Sequence, residues 1–184
     1  PPIRAQEGAL TSPQEGHLRF GPNWRVLRET RLGNGEGLAR LSVDTPRDMG
    51  LHPGLMDLAT GWAMDLIAGY DGSALWVPVN YASVKVFKPL PGDVISHVRN
   101  AGSNEASAQT ASFDITLAAP DGTVCVDITG FTIRRMQGDI RFASASAKAN
   151  AACFPPFGVR ATSVDPAPIC RFANSYCGWL GWKG

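Results

Sequence analysis

Residues 53–69, PGLMDLATGWAMDLIAG, are the one stretch of this 184-residue sequence that predicts a helix. Pro53 suits the first turn of a helix, where its missing N–H costs no hydrogen bond, and Gly69 suits the end. Apolar side chains recur on one face at helical spacing, and the opposite face is also nearly apolar apart from Asp57. A helix that is apolar on almost every side is buried on almost every side, so we expect it to lie inside the domain.

Alternating apolar and polar residues on both sides of the predicted helix indicate antiparallel strands. The alternating segments are residues 23–32 and 37–43 before the helix, and 74–87, 94–100, 106–117 and 123–135 after it. Two strands, one helix and then three or four long strands are an α+β order. We therefore predict a hotdog fold, in which a curved antiparallel sheet of five or more strands wraps one long buried helix.

The two ends of the chain differ in composition from the middle. Residues 1–16 are polar and rich in proline and glycine, which predicts a linker before a domain at residues 17–140. Residues 141–184 begin as Ala/Ser-rich sequence and continue without a clear period, so we expect a linker or an expression-derived tail. Because the chain starts at Pro1 rather than at Met, we expect it to be a piece of a longer protein.

The overall composition is that of a globular protein, with 44% hydrophobic and 18% charged residues. A net charge of +1 gives no reason to expect nucleic acid or an anionic membrane as a partner. No apolar stretch approaches the ~20 residues that a membrane-spanning helix needs, and the start of the chain lacks the pattern of a signal peptide. We therefore expect a cytoplasmic protein.

The four cysteines give no sign of a metal site. Cys125 lies in an alternating apolar run, where we expect a buried small hydrophobe. Cys153, Cys170 and Cys177 lie near the C-terminus without a Cys-x-x-Cys pair, so no zinc site is predicted. Free thiols in a cytosolic protein are the favoured interpretation, and a disulfide in the tail stays open as an alternative.

Several short motifs, in a fixed order, carry a resemblance to a known family. Residues 20–24, FGPNW, precede residues 50–57, GLHPGLMD, and residues 77–79, VPV, and 88–92, KPLPG, follow. They resemble the Tyr-Gly-Pro-x-Phe opening, the Leu-His-Pro-Ala-Leu-Leu-Asp signature, and the later strand and turn of polyketide synthase dehydratase domains. The order and spacing match the second, C-terminal hotdog of such domains from about Phe20 to about Met136.

The resemblance implies a reaction. Such domains convert a 3-hydroxyacyl chain, carried on the phosphopantetheine of an acyl carrier protein, into a 2,3-enoyl chain. A histidine of the first hotdog removes the α-proton, and the aspartate of the second, here Asp57, protonates the departing hydroxyl. Hydroxide is too poor a leaving group to depart unprotonated, so the chemistry needs both groups. The chain itself is then expected to bind no cofactor and no metal, and to lack the histidine base.

The resemblance also implies a set of residues around the substrate, which are Gly61, Phe20, Pro22, His52 and Met64. Gly61 stands where the family usually has Gln or His, one helical turn after the aspartate, and Phe20 stands where the family has Tyr. Met64 is expected to follow Asp57 and Gly61 on the same helical face. We expect His52 to order the loop before the helix by hydrogen bonding rather than to act as the base.

The role of Asp57 has an ordinary alternative. A lone aspartate at a helix start is usually a cap or a solvated charge, but Asp57 lies past the cap position on an otherwise apolar face. Burial in an apolar tunnel would raise its pKa, which suits a proton donor, whereas the helix dipole would lower it. The sequence does not say which effect is larger.

Three functions remain open at this stage. The first is a dehydratase half that works with an N-terminal hotdog. The second is a double-bond isomerase or a cyclase on the same fold, which the loss of Gln or His at Gly61 keeps open. The third is a non-catalytic hotdog that binds carrier-bound chains. Because a single hotdog leaves a sheet edge and an apolar helix face exposed, we expect pairing with an N-terminal hotdog or a second copy.

Overall fold

The structure is a computed structural model, which describes residues 3–44 and 49–136. Within these residues the strands are β1 Arg4–Glu7, β2 Leu27–Leu32, β3 Glu36–Ser42, β4 Trp76–Asn80, β5 Ser83–Val86, β6 Asp93–Asn100, β7 Thr110–Ala118 and β8 Val124–Arg135. The helix α1 spans Pro53–Gly61, and short 3-10 helices span Pro22–Trp24 and Met64–Leu66. The predictions for the tail at 141–184 and its three cysteines lie outside the described residues.

The strands form a single antiparallel sheet. Its order is β1-β2-β3-β6-β7-β8-β4, and β5 also pairs with β8. Inward-facing residues alternate with partly exposed ones along β6 and β7, as the sequence pattern predicts for strands with one buried face. The predicted α+β order, with one helix against an antiparallel sheet of more than five strands, is confirmed.

The core lies between this sheet and the buried side of α1. Leu55, Leu58 and Ala59 of the helix belong to one apolar cluster with residues of β3 and of β6 to β8. The side chains that are buried most completely are Leu41, Val94, Val98, Ile115, Leu117, Val126, Ile128 and Phe131, besides Leu55, Ile67, Cys125 and Ser96. The inner face of α1 is therefore held by its packing against the sheet, and its outer face is available for a functional site.

The helix is shorter than the sequence predicts. It ends at Gly61 rather than at Gly69, and the chain continues into the 3-10 helix at Met64–Leu66. A buried polar contact stabilises this end, because the Ser96 hydroxyl donates to the Ala59 carbonyl oxygen at 2.7 Å and accepts from Trp62 Nε1 at 3.1 Å. Ala59 is among the last residues of the helix, whose carbonyls have no partner within the helix. Periodicity does not detect this stop, since the side chains beyond it are still apolar.

The N-terminal segment also differs from its prediction. Arg4–Glu7, inside the predicted linker 1–16, pair with β2 as strand β1. Gln14 is buried, and its amide accepts from the Trp76 backbone N–H and donates to the Tyr70 hydroxyl, both at 2.9 Å. All four residues of β1 are exposed, so backbone pairing forms this strand without any hydrophobic pattern. The described part of the predicted linker therefore belongs to the domain.

Two predicted strands are interrupted at positions that shape the site. The predicted strand 23–32 begins only at Leu27, because Pro22–Trp24 form a 3-10 helix. The predicted strand 74–87 is divided into β4 and β5, which lie one after the other along β8. Tyr81 sits at the division, and its ring lies against Phe131 of β8 with centroids 5.0 Å apart.

Candidate active site around Asp57

Helix α1 presents Asp57 on the face that points away from the core. The residues at the helix start are held by His52, whose Nδ1 accepts from the Leu55 backbone N–H at 3.4 Å and whose carbonyl accepts from Met56 N–H at 3.0 Å. Leu55 and Leu58, on either side of Asp57 in the sequence, are buried in the core, whereas Asp57 is exposed. The carboxyl group is therefore anchored by a rigid element and reached by solvent from one side.

A tryptophan from outside the helix holds the carboxyl. The Trp24 indole Nε1–H donates to Asp57 Oδ2 at 2.6 Å, which is short for a hydrogen bond to a charged acceptor. Pro22 begins the 3-10 helix that carries Trp24, since its fixed φ suits the first helical position. The turn lies very close to α1: a Cβ added at Gly54 would collide with the carbonyl oxygen of Asn23.

The pKa of the Asp57 carboxyl is raised above its ordinary value. Desolvation by the surrounding protein is the larger cause and raises it, and the hydrogen bond from Trp24 opposes it. The side chain of Asp57 is exposed to solvent, yet enough protein lies near its carboxyl group to desolvate it. Of the two opposing effects foreseen from the sequence, desolvation outweighs the effects that favour the charged form.

Tyr81 and Thr60 form a second pair of polar residues in the neighbourhood of Asp57. Thr60 Oγ1 donates to the carbonyl oxygens of Met56 and Asp57, both at 3.1 Å, and makes a hydrogen bond with the Tyr81 hydroxyl. Burial raises the pKa of the Tyr81 phenol, and the negative charge of Asp57 raises it further, so the phenol keeps its proton. The carboxyl thus has a direct hydrogen bond from the Trp24 indole N–H, and the Tyr81 phenol lies near enough to sense its charge.

The residues predicted around the substrate separate into two groups. Gly61 is the last residue of α1, one turn after Asp57, and a Cβ added there meets nothing within 4 Å, so this position opens onto free space. Pro22 is exposed at the start of the turn that carries Trp24, and Phe20 is partly buried against the core. The remaining two, His52 and Met64, are buried.

Met64 does not lie where the sequence predicts. Because α1 ends at Gly61, the helical spacing that would place Met64 above Asp57 is lost, and Met64 is buried in the core at 4% exposure. His52 is the N-cap of α1, in agreement with an ordering role. The other two histidines make contacts elsewhere: His17 with the Gly72 carbonyl and His97 with Glu36 on β3.

Sequence reasoning did not single out Trp24 or Tyr81. Both were assigned to strands as apolar members of an alternating pattern, whereas both present their polar ends to the site. Indole N–H and phenol O–H groups usually find a partner when they are partly buried. The sequence held one signal for the role of Trp24: it stands where the resembled motif has Phe, and so adds an N–H donor that Phe lacks.

The sheet edge beside the site is apolar and unpaired. Strands β4 and β5 each pair with β8, and their outer side has no partner among the strands of the described region. We call residues 76–87 the β4–β5 edge. Its exposed apolar side chains, between 44% and 60% exposed, are Val79, Tyr81, Val84, Val86 and Phe87. Tyr81 belongs both to this edge and to the surroundings of Asp57.

Residues 3–44 and 49–136 contain no group of three or more His, Cys, Asp or Glu side chains arranged to hold a metal ion. No helix in the same ranges has the length and apolar character to cross a membrane.

Residues 9–142 match a protein-family model described as "Polyketide synthase dehydratase N-terminal domain". The chain is also 29% identical over 159 residues to the polyketide synthase ThaG of Burkholderia thailandensis, and 26% identical over 132 residues to the polyketide synthase PksM of Bacillus subtilis. These matches cover 82% and 66% of this chain but only 3% of each synthase. The chain thus spans a small part of the relatives that it matches.

A solved dehydratase domain has the same fold. The dehydratase domain of RzxB from Pseudomonas fluorescens superposes with a TM-score of 0.59 at 19% identity, over 72% of this chain and 54% of that one. At this identity the likeness concerns the fold alone, and it confirms the predicted hotdog. The description of the family model names an N-terminal domain, so the assignment to the C-terminal half stays a prediction.

Proposed function

Because the chain belongs to the polyketide synthase dehydratase family, as its motifs suggested, we propose that it is the C-terminal hotdog of a dehydratase domain. In this proposal it removes water from 3-hydroxyacyl chains on an acyl carrier protein and yields 2,3-enoyl chains. Asp57 is the general acid, and a histidine of the N-terminal hotdog is the base. The order of the motifs from FGPNW to KPLPG supports the C-terminal assignment.

The observation that carries the proposal is the environment of Asp57. Its carboxyl lies on the outer face of a fixed helix, and desolvation raises its pKa. A raised pKa increases the fraction of molecules that keep the proton near neutral pH, as a general acid requires. A solvated surface charge would have no such shift, so the ordinary alternative for Asp57 explains less.

The proposed step balances as an elimination. The base takes the α-proton of the substrate, and the electrons of that C–H bond form the 2,3 double bond. The bond from carbon 3 to the hydroxyl oxygen breaks while Asp57 gives its proton to that oxygen, and water leaves. Asp57 ends as a carboxylate, which the Trp24 indole N–H stabilises by its hydrogen bond.

The β4–β5 edge is where we place the second hotdog, either the N-terminal half or another copy of the chain. An unpaired sheet edge with a row of exposed apolar side chains is a site of association. Because Tyr81 lies both on this edge and beside Asp57, a partner seated there would also cover the open side of the carboxyl. Covering it would exclude water and increase the desolvation that raises the pKa of Asp57.

The proposal assigns no cofactor and no metal to the chain itself. The phosphopantetheine arm belongs to the carrier protein and brings the substrate as a thioester, and the elimination needs only an acid and a base. We also propose a cytoplasmic location, where carrier-bound intermediates would be made and used.

Gly61 favours a second candidate, a double-bond isomerase or a cyclase. A Cβ at this position would meet nothing within 4 Å, so the site has free space where the family usually has Gln or His. An acid that moves a proton without expelling the hydroxyl could use the same Asp57. Binding of carrier-linked chains without catalysis is the remaining alternative.

The test joins this chain to the N-terminal hotdog of its own domain and supplies a 3-hydroxyacyl thioester. Formation of the enoyl thioester is followed for the wild type and for Asp57→Asn, which keeps the shape of the side chain but removes the acid. Asp65→Asn is the matched control, because Asp65 is an exposed aspartate of the following turn whose carboxylate pairs with Arg4.

We expect Asp57→Asn to lose at least about 10²-fold in rate, the lower end for general acid catalysis, and Asp65→Asn to keep the wild-type rate. Dehydration by Asp57→Asn at the wild-type rate would refute the assignment of the acid. Migration of a double bond or ring closure, without dehydration by the wild type, would favour the second candidate. Binding of carrier-linked substrate with no product at all would favour the non-catalytic alternative.

A further inference from the structure

The indole of Trp24 and the empty position at Gly61 are related features of the site. Asp57 and Gly61 are four residues apart on one helix, so a side chain at 61 would lie above the carboxyl. Nothing lies within 4 Å of a Cβ at Gly61, so the helix itself supplies no side chain to orient Asp57 from that direction. The Trp24 Nε1–H instead reaches Asp57 Oδ2 from outside the helix at 2.6 Å.

We propose that Trp24 is the positioning residue for Asp57, and that its indole N–H replaces the hydrogen-bonding side chain that α1 lacks at Gly61. This inference rests on the proposed role of Asp57 as the acid. Trp24 does not itself have to touch the substrate. It fixes which oxygen of the carboxyl is held and which is left free to carry the proton.

The backbone around Trp24 is built for this contact. The turn at Pro22–Trp24 lies so close to α1 that a Cβ at Gly54 would collide with the Asn23 carbonyl oxygen and come within 3.2 Å of the Asn23 carbonyl carbon. Gly54 stands where the resembled signature has Ala, so this chain allows a closer approach of the turn than that signature would. Gly54 therefore admits the turn that places the Trp24 indole against Asp57.

The electrostatic consequence gives the proposal a specific signature. An N–H donor stabilises the carboxylate more than the protonated acid, and the hydrogen bond from Trp24 accordingly lowers the pKa of Asp57 against the larger effect of desolvation. Removing the donor must raise that pKa further and leave the carboxyl free to rotate. Loss of a tryptophan that only packed against the site would lower that pKa or leave it unchanged, because desolvation would decrease and no donor would be lost.

The first measurement uses the full chain alone and needs no turnover. The indole N–H resonance of Trp24 and the carboxyl carbon resonance of Asp57 are followed by NMR as the pH is changed. We expect both to titrate with one common pKa, and the indole titration to disappear in Asp57→Asn. In Trp24→Phe the pKa of Asp57 should rise. Trp62→Phe, which removes the indole that donates to Ser96 in the core, should leave that pKa unchanged.

The second measurement uses the complete dehydratase domain that contains this chain. Trp24→Phe should lower kcat about 10- to 100-fold, the range for one hydrogen bond to a charged group, with little change in KM. Adding Gly61→Gln to Trp24→Phe should recover most of the loss, because glutamine can donate to Asp57 from the helix. Thermal melting of each variant checks that it is folded.

An unchanged pKa of Asp57 in Trp24→Phe, or a loss of kcat that Gly61→Gln does not relieve, would overturn the inference. Failure of the proposed function has a different signature. In that case Asp57→Asn would dehydrate normally, whereas the common titration of Trp24 and Asp57 in the chain alone would persist.

Discussion

Substitution of Gly54 by alanine tests how the turn at 22–24 and helix α1 together fix Asp57. The new methyl group would collide with the Asn23 carbonyl oxygen, well inside the 3.0 Å that real Cβ contacts respect. Because that atom belongs to the backbone, the whole turn must move away by more than about half an ångström. A movement of the turn directly away from α1 would carry Trp24 with it. The distance from Trp24 Nε1 to Asp57 Oδ2 would then increase from 2.6 Å to about 3.2 Å, the upper end of normal hydrogen-bond lengths.

Two effects on the free energy of unfolding oppose each other in Gly54→Ala. Overpacking typically costs about 1–3 kcal/mol. Alanine in place of glycine favours a helix interior by up to ~1 kcal/mol, and by less in the first turn. We therefore expect a net loss of about 1–2 kcal/mol, which for a domain of this size lowers Tm by about 3–8 °C.

The assay combines thermal melting with an NMR titration of the Asp57 carboxyl. Gly61→Ala is the matched control, since it makes the same change in the same helix where a Cβ meets nothing within 4 Å. Its Tm should stay the same or rise slightly. Gly54→Ala should lower Tm and raise the pKa of Asp57, because the hydrogen bond that lowers it is weakened. An unchanged Tm together with an unchanged pKa would refute the close packing of the turn against α1.

Three more outcomes are expected. In the wild type the folded-state pKa of Asp57 is raised, so Asp57 stabilises the fold fully below its unfolded pKa of about 3.8 and progressively less as the pH rises through the folded value. The Tm of Asp57→Asn, which cannot titrate at this position, should therefore rise relative to that of the wild type between pH 4 and 7. A difference in Tm that stays constant with pH would contradict the raised pKa. Ser96→Ala leaves a buried indole N–H and a helix carbonyl without their partner, so chemical denaturation should report a loss of about 1–3 kcal/mol that the exposed Ser107→Ala does not show. Val86→Lys on the β4–β5 edge should weaken association with the second hotdog in sedimentation without unfolding the chain, and an equal effect from the exposed Leu38→Lys on β3 would argue against that edge as the interface.

The strands that alternate between buried and exposed residues were predictable from the sequence. Strands β3, β6 and β8 lie within one residue of their predicted limits, because each buries one face and so shows a period of two. Strand β7 ends within one residue of its predicted limit but begins four residues later, at Thr110. Strand β1 was missed because none of its residues is buried, and it is held by backbone pairing to β2. A period of two in hydrophobicity reveals a strand only where one face is buried. A fully exposed edge strand such as β1 shows no such period.

The length of α1 could not be predicted for a related reason. The residues after Gly61 are as apolar as those before it, and Trp62, Met64 and Ile67 all enter the core. A contact with Ser96 on β6, 37 residues away from Ala59, stabilises the end of the helix. Such a contact depends on the pairing of strands, and no local pattern contains it.

In the candidate site, too, the residues fixed by local geometry were predictable and those brought in by packing were not. The signature before the helix located Asp57, and helical spacing located Gly61 on its face, because both depend on local geometry. Trp24 reaches Asp57 across 33 positions of sequence, and Tyr81 depends on the division of a predicted strand into β4 and β5. These partners follow from the packing of separate elements, which the spacing of residues does not reveal.

Gly54 and Gly61 stand near the two ends of the nine-residue helix α1, where glycine costs less than the up to about 1 kcal/mol that it costs in a helix interior. A helix this short is marginal by itself, so its stability must come from packing. The burial of Leu55, Leu58 and Ala59 in the core supplies that stability. The outer face of α1 is then free to be shaped for the site, where Gly54 admits the turn that carries Trp24. A helix held by its inner face can therefore carry an acid whose orientation and pKa are set by residues outside the helix.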